Sequence, residues 1–255
     1  MIPVSAVIIT LNEAENIERT IKALDFCDEI VVIDSGSIDN TVELCRQLHC
    51  KVLYRAFDNY GLQKRFAVEQ ASNNWVLVID ADEVVTPALK QEITTRFSGN
   101  DLTVQGFYLP FSLLFLNHTF RFSGQNRQLH LRLFNKQFGT INTNAVHEGV
   151  AITGKTACMH NVILHYSYKS LSDYFEKFNR YTSAAGEHVC EKGTIKSKPN
   201  TMLRVPITFF KIYLCNLGFL DGYAGFVWAL LSSLYPLVKY AKARECFEKN
   251  HVYNS

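Results

Sequence analysis

Trp75-Val76-Leu77-Val78-Ile79 is apolar and β-branched with no helical period, the pattern of a strand buried on both faces. It ends abruptly at Asp80-Ala81-Asp82-Glu83. Side chains alternate along an extended chain, so Asp80 and Asp82 are expected to point the same way at the C-terminal end of this strand. Two carboxylates on one side repel each other unless positive charge lies between or beside them. A hard divalent cation that keeps some waters and is shared with substrate phosphates meets that need. The plainer reading is a strand end followed by a helix start, with Asp82 and Glu83 favoured by the helix dipole. An isolated D-x-D is too short to decide between the two. The chain around it carries more.

Val4 to Thr10 reads as a first buried strand, followed by Leu11-Asn12-Glu13 and a helix over 15–24, with Ile17, Ile21 and Leu24 at helical spacing. Glu29 to Asp34 is a second strand, 40–48 a second helix, 51–54 a third strand and 61–72 a third helix, which leads into the strand at 75–79. Strands and helices alternating at this length imply parallel β-α-β units, an α/β fold. In such sheets ligands lie beyond the C-terminal strand ends. Three of those ends carry carboxylates or small hydroxyls: Thr10-Leu11-Asn12-Glu13, Asp34-Ser35-Gly36-Ser37 and Asp80-Ala81-Asp82. No G-x-G-x-x-G follows the first strand, which counts against a dinucleotide dehydrogenase.

The 255 residues suffice for one large domain, or a domain with a substantial appendage, and 47% apolar with 20% charged residues describes a folded chain. A net charge of +2 argues against nucleic acid as the main partner. That sum hides an asymmetry: residues 1–168 hold 14 Lys and Arg against 17 Asp and Glu, whereas 169–255 hold 12 against 7. The seven cysteines form no C-x-x-C pair and are odd in number, which fits reduced cytosolic thiols. Met1-Ile2-Pro3-Val4 leads directly into a strand, so no signal peptide is expected.

Taken together, T-L-N-E after the first strand, V-V-I-D-S-G-S-x-D-x-T and V-L-V-I-D-A-D-E resemble the donor half of family 2 glycosyltransferases with a GT-A fold. Leu109-Pro110-Phe111, Arg132-Leu133-Phe134, Val146-His147-Glu148, His165-Tyr166-Ser167 and Gly218 to Gly222 resemble the bacterial lipopolysaccharide-core branch. The resemblance implies a mostly parallel central sheet flanked by helices, with a donor half over 1–100 and an acceptor half over 101–168. It implies that Thr10, Asn12, Glu13, Asp34, Ser35, Gly36 and Ser37 line a nucleotide pocket. Asp82 would ligate Mg²⁺ or Mn²⁺ with His165 as a further ligand, and Asp80, beside Ala81, would contact ribose or metal-bound water. Lys64 is expected near the nucleotide, while Arg65 reads as a solvated basic face and Asp39 as a helix cap. Arg127 and Arg132 are candidates for contact with an anionic acceptor or diphosphate through bidentate geometry.

Inverting transfer also needs a base for the acceptor hydroxyl. Between residues 100 and 170 only His147-Glu148 forms an adjacent pair followed by glycine, so Glu148 is the expected base, with His147 positioning acceptor or phosphate. The E-D pair of many family members does not appear in its usual form. A surface strand end with two polar residues is the plainer alternative.

Beyond 168 the character changes. A helix over 171–189 carries aromatics, and cations at 192, 196, 198 and 204 precede an apolar run over 205–238, with Lys239, Lys242 and Arg244 after it. That arrangement suits an anionic bilayer surface, although a helical lid packed on the sheet has the same composition. Residues 169–255 are therefore expected to form a membrane-associating helical region. The resemblance places the chain on the cytoplasmic face of the inner membrane. It implies a nucleotide-diphosphate donor, UDP-glucose, and a lipid-linked saccharide acceptor such as the lipopolysaccharide inner core. Two rivals remain. A sugar-1-phosphate nucleotidyltransferase is disfavoured because residues 9–20 contain no glycine for its nucleotide loop. The second is a non-catalytic nucleotide-sugar-binding protein or membrane scaffold; with Asp80, Asp82 and a candidate base all present, nothing in the sequence demands inactivity.

Overall fold

Chain order begins with β1 (Ile2–Thr10), α1 (Ile17–Lys22), β2 (Cys27–Asp34), α2 (Thr41–Gln47), β3 (Lys51–Tyr54), α3 (Tyr60–Gln70) and β4 (Trp75–Asp80). After β5 (Glu83–Val85) and α4 (Pro87–Ser98) come β6 (Gly106–Phe115), β7 (His118–Thr119) and β8 (Gln128–Asn135). Short strands follow, β9 (Gly139–Ile141), β10 (Val150–Ile152), β11 (Thr156–Cys158) and β12 (Ile163–His165), then α5 (Leu171–Glu191), α6 (Lys198–Phe210) and α7 (Gly222–Val252). This computed structural model describes residues 1–99, 103–142, 149–168 and 170–252. They divide into two units, Met1–Leu113 with Arg127–Tyr166, and Leu114–Asn126 with Ser167–Ser255.

In the first unit the sheet runs β3-β2-β1-β4-β8-β6-β12-β5. The first four strands are parallel, as the β-α alternation predicts, and β8 then enters antiparallel to both β4 and β6. The α/β class with flanking helices is borne out. Strand period 2 sorts the side chains into two layers. Val4, Ala6, Ile8, Leu77 and Ile79 face a core with Ile17, Ile21, Leu89 and Ile93 from α1 and α4. Val7, Val31, Ile33, Val76 and Val78 pack on the other face with Ala67 and Val68 of α3.

The helix after the acidic stretch starts later than the plainer reading allowed. Glu83 belongs to β5, paired with His165 of β12, and α4 begins only at Pro87 with Thr86 as its cap. Pro at the first helical position supplies a fixed φ where no N–H is needed.

Between strands, Glu29 acts as a staple. Its carboxylate accepts from Ser5 Oγ at 2.6 Å, Ser72 N at 2.8 Å and Ser72 Oγ at 2.9 Å, joining β1, β2 and the turn before β4. Burial alone would raise its pKa, but the Ser5 and Ser72 bonds and the Lys51 charge outweigh it and hold it below the ordinary value.

In the second unit, α5 and α7 approach closely at Gly186, where a Cβ would lie 3.1 Å from the Lys239 carbonyl. The apolar run expected over 205–238 is not continuous. It comprises α6, a π turn over Lys211–Cys215, a 3₁₀ turn over Gly218–Asp221 and the start of α7. Asp221 locks the turn: its buried carboxylate accepts from Arg121 N, Phe122 N and Ser123 Oγ at 2.7–3.1 Å, and His118 Nε2 lies 3.1 Å away. No single described helix is long and apolar enough to cross a membrane. The pair Lys198–Cys215 and Gly218–Lys249, bent by 73°, passes that test only together.

Two stability measurements follow. Glu29→Gln should cost about 1–3 kcal/mol in urea unfolding at pH 7, the value of hydrogen bonds to a charged acceptor. Because the folded pKa is depressed, this advantage is present above the unfolded value of about 4.3 and is lost as pH falls through the folded pKa, so wild type and variant converge only below that folded value. At Gly225 an added Cβ would sit 1.9 Å from the Gly218 carbonyl oxygen, so Gly225→Ala should destabilise by roughly 3 kcal/mol or more, read as a fall in the urea midpoint.

Candidate active site

Strand order reverses where β1 has β2 on one side and β4 on the other, and the crevice beyond those C-terminal ends is where an open α/β sheet takes its ligand. The three polar strand ends meet there. Thr10 is level with Asp34, and Ile9 with Asp80.

The first two turns hold each other. Asn12, in the left-handed region at φ 55, receives Ile38 N on its Oδ1 at 2.9 Å and gives its own N–H to Ser37 Oγ at 2.9 Å. Thr41 Oγ1 accepts Glu13 N at 2.8 Å, and Asp39 receives Ala14 N and Thr41 N, so Asp39 orders both the first turn and the start of α2. Glu13 Oε2 accepts from Asn16 Nδ2 at 2.7 Å. Asp34, buried, is spent on its own turn, accepting Gly36 N, Ser37 N and Ser37 Oγ at 2.5–3.0 Å. Gly36 has φ +104, a conformation only glycine adopts without strain. Ser35 Oγ accepts from Gln63 Nε2 at 3.0 Å. The Thr10 hydroxyl and the Gln63 Oε1 are buried with no hydrogen-bond partner among the described residues.

At the third strand end the charges are arranged as a knot. Lys64 Nζ, on α3 and only 4% exposed, lies 2.8 Å from Asp80 Oδ1, and Arg132 reaches Asp80 Oδ2 at 3.2 Å and Glu83 Oε1 at 3.0 Å. Glu83 Oε2 accepts the Asp80 N–H at 2.8 Å. Burial opposes ionisation of Asp80, but the Lys64 and Arg132 charges overcome it and hold the carboxyl well below the usual range. Burial pushes Glu83 up to about 7, with Arg132 pulling the other way. Arg132 reaches this place through a β-bulge. Phe107 pairs with Leu133 and Tyr108 with Leu131, leaving Arg132 as the extra residue on β8, and such bulges re-aim side chains.

Asp82 sits apart from this knot. Its Oδ2 lies 3.4 Å from His165 Nε2, and the Tyr166 N–H bonds its carbonyl at 2.8 Å. The two acidic side chains therefore take different partners. Ala81 is buried, and its carbonyl accepts Thr20 Oγ1 at 2.8 Å, fixing the turn to α1. Burial would lower the pKa of His165, but the hydrogen bond and charge of Asp82, with Glu83 and Asp80 behind it, raise it overall. No group of three or more His, Cys, Asp or Glu among the described residues could hold a metal. One carboxylate beside one imidazole does fit Mg²⁺ or Mn²⁺, ions held through one or two protein ligands and completed by substrate phosphates and water.

Beside the knot is a cavity of about 220 Å³ lined by Lys64, Val78, His130, Arg132, Ile141 and Gly149, among others. Burial lowers the pKa of His130, and the Arg132 charge adds to the effect. The expected base Glu148 and its neighbour His147 lie outside the described residues; Gly149, next in sequence, lines this cavity. Arg127 donates to the His160 carbonyl at 3.1 Å. Sequence reading missed Glu83 as a partner of Arg132, and it missed Gln63, whose orphan oxygen marks the same crevice as Thr10. The E-V-V alternation at 83–85 was the available signal for a strand rather than a helix start.

The sequence model described as "Glycosyl transferase family 2" matches residues 5–154. An uncharacterized glycosyltransferase of Rickettsia felis is 31% identical, aligned over 97% of this chain and 91% of the relative. A lipopolysaccharide core biosynthesis glycosyltransferase of Rhizobium meliloti is 28% identical over 94% of this chain and 92% of its own length. Among solved structures, glucosyl-3-phosphoglycerate synthase from Mycobacterium tuberculosis, in complex with Mn²⁺, UDP and glucosyl-3-phosphoglycerate, aligns with a TM-score of 0.35 and 23% identity. That alignment covers 41% of this chain and 42% of the synthase.

Arg132→Leu should expose the knot's dependence on its second cation. It leaves Glu83 and Asp80 short of a partner in a largely buried setting, and loss of about 3 kcal/mol in denaturant unfolding is expected. An unchanged midpoint would show that Lys64 alone neutralises the cluster.

Proposed function

Since this chain belongs to glycosyl transferase family 2 and is a transferase, we propose that it moves a sugar, with inversion, from a nucleotide-diphosphate donor to a lipid-linked saccharide. The observation that carries this reading is the separation of Asp80 and Asp82 at the strand-order reversal. Asp80 is consumed by Lys64 and Arg132, which leaves Asp82 beside His165, both partly exposed, as the donor pair.

Asp82 and His165 would hold Mg²⁺ or Mn²⁺, which when bound neutralises charge developing on the departing diphosphate. Thr10, Asn12, Glu13 and the Asp34 to Ser37 turn line the nucleotide side of the crevice. The unpartnered Thr10 hydroxyl suits a group that hydrogen-bonds. Lys64 keeps Asp80 ionised and fixed, so the turn through Ala81 to Asp82 is placed before substrate arrives, and no reorganisation is needed at the chemical step. Glu148 takes the proton of the attacking acceptor hydroxyl, with His147 orienting the acceptor, and the cavity lined by Gly149, Arg132 and His130 is the acceptor side. UDP-glucose is the proposed donor and a lipopolysaccharide inner-core sugar the proposed acceptor, a reading supported by the relative from Rhizobium meliloti named for core biosynthesis.

Lipid contact follows from the second unit. Met202, Leu203, Ile207, Phe210 and Leu214 are each at least half exposed along α6 and the π turn, whereas Trp228, Ala229 and Ser233 of α7 are buried. The apolar surface offered to a bilayer is therefore carried chiefly by α6 and the turn after it, more than by α7. Lys198, Arg204 and Lys211 lie along the same segment and favour an anionic cytoplasmic leaflet.

The test is release of nucleoside diphosphate from a panel of UDP-, GDP- and ADP-sugars with purified protein, Mn²⁺ and a lipid-saccharide acceptor fraction. One donor should turn over, EDTA should abolish it, and Asp82→Asn should reduce it about 100-fold, near 2.7 kcal/mol of barrier. Turnover untouched by EDTA and by Asp82→Asn would sink the metal-centred reading.

A further inference from the structure

The helical unit contains a cavity of about 370 Å³ whose surface is almost entirely apolar, among Tyr174, Phe178, Tyr181, Thr208, Trp228 and Tyr235. It lies among α5, α6 and α7 and is within the range of about 300–1,000 Å³ that ligand pockets span. It opens to solvent, and covering its aromatic wall with an apolar group removes that surface from water.

Trp228 is 8% exposed and lines the cavity. Tyr181, on the cavity wall, has the exposed Arg180 guanidinium over its ring at 5.3 Å, which places a cation beside the aromatic wall. Thr208 reaches the cavity from α6, the helix whose Met202, Leu203, Ile207 and Phe210 are exposed. A long apolar chain and an anionic head describe one chemistry.

We propose that this cavity binds one acyl chain of an anionic membrane phospholipid, with the chain against the Trp228 ring and the phosphate meeting Arg180. The proposal rests on the lipid contact assigned above to the helical unit and not on sugar transfer. It turns surface adhesion into a specific site for one chain.

The test uses the full chain and vesicles of phosphatidylglycerol carrying dibrominated acyl chains, which quench a tryptophan they touch. Wild-type emission should be quenched saturably, and Trp228→Phe, which leaves only Trp75, should be quenched at least fivefold less. Thr208→Phe, which fills the cavity, should still float with vesicles yet lose at least fivefold of the quenching. Ser232→Leu narrows the same cavity from α7 and is read alongside in case Thr208→Phe does not fold. Arg180→Gln should raise the lipid concentration for half-quenching about threefold. Flotation with equal quenching in wild type and the cavity-filling variants overturns the site while leaving surface attachment standing. No flotation overturns both, without bearing on nucleotide release.

Discussion

Lys64 carries an ammonium that is 4% exposed, and such a charge is tolerated only against a carboxylate with its remaining bonds satisfied. Asp80 answers it at 2.8 Å, Arg132 closes the other side, and Glu83 completes the group by holding both Arg132 and the Asp80 N–H. Much else at the crevice follows from that knot. It ties α3, β4, β5 and β8 at one point, the edge of the strand-order reversal. It fixes the direction in which the chain leaves β4, and hence where Asp82 meets His165. The price is ionic groups in a poorly solvated place, a common feature of functional sites.

Around the knot the polar residues divide into those that build turns and those left with unused capacity. Asn12, Asp34, Ser37, Asp39 and Thr41 spend their side chains on backbone N–H groups of neighbouring turns. Thr10 and Gln63 each keep a buried oxygen without a partner among the described residues. The β1–α1 and β2–α2 turns are held by side-chain bonds within and between them. The helical unit follows the same economy. Asp221 spends its carboxylate on the 121–123 backbone and hydroxyl, and the Trp228 indole N–H has no partner among the described residues.

The parallel β3-β2-β1-β4 core was legible because strand and helix periods alternate cleanly from Val4 to Ile79, and the three polar strand ends were legible because ligands gather there. Boundaries shifted by a residue or two, as helix ends do: the first helix is Ile17–Lys22 rather than 15–24. Other features depended on contacts far apart in sequence. That Asp80 would be neutralised by Lys64, 16 residues away, and Arg132, 52 away, is a tertiary fact with no local signature. A β-bulge that aims Arg132 depends on how β6 and β8 register, which neither strand announces alone. The apolar run at 205–238 read as continuous because composition does not show the breaks at 211–221, where Gly218 and Gly225 allow two backbones to approach.

The most direct measurement is calorimetric titration of UDP into the purified protein, with and without Mn²⁺, for wild type and Asp82→Asn. The account predicts binding that strengthens at least tenfold with Mn²⁺ in wild type and loses that gain in Asp82→Asn, with the unfolding midpoint unchanged. UDP binding of equal strength in both proteins, or none in either, would contradict the placement of a metal-assisted nucleotide site at the end of β4.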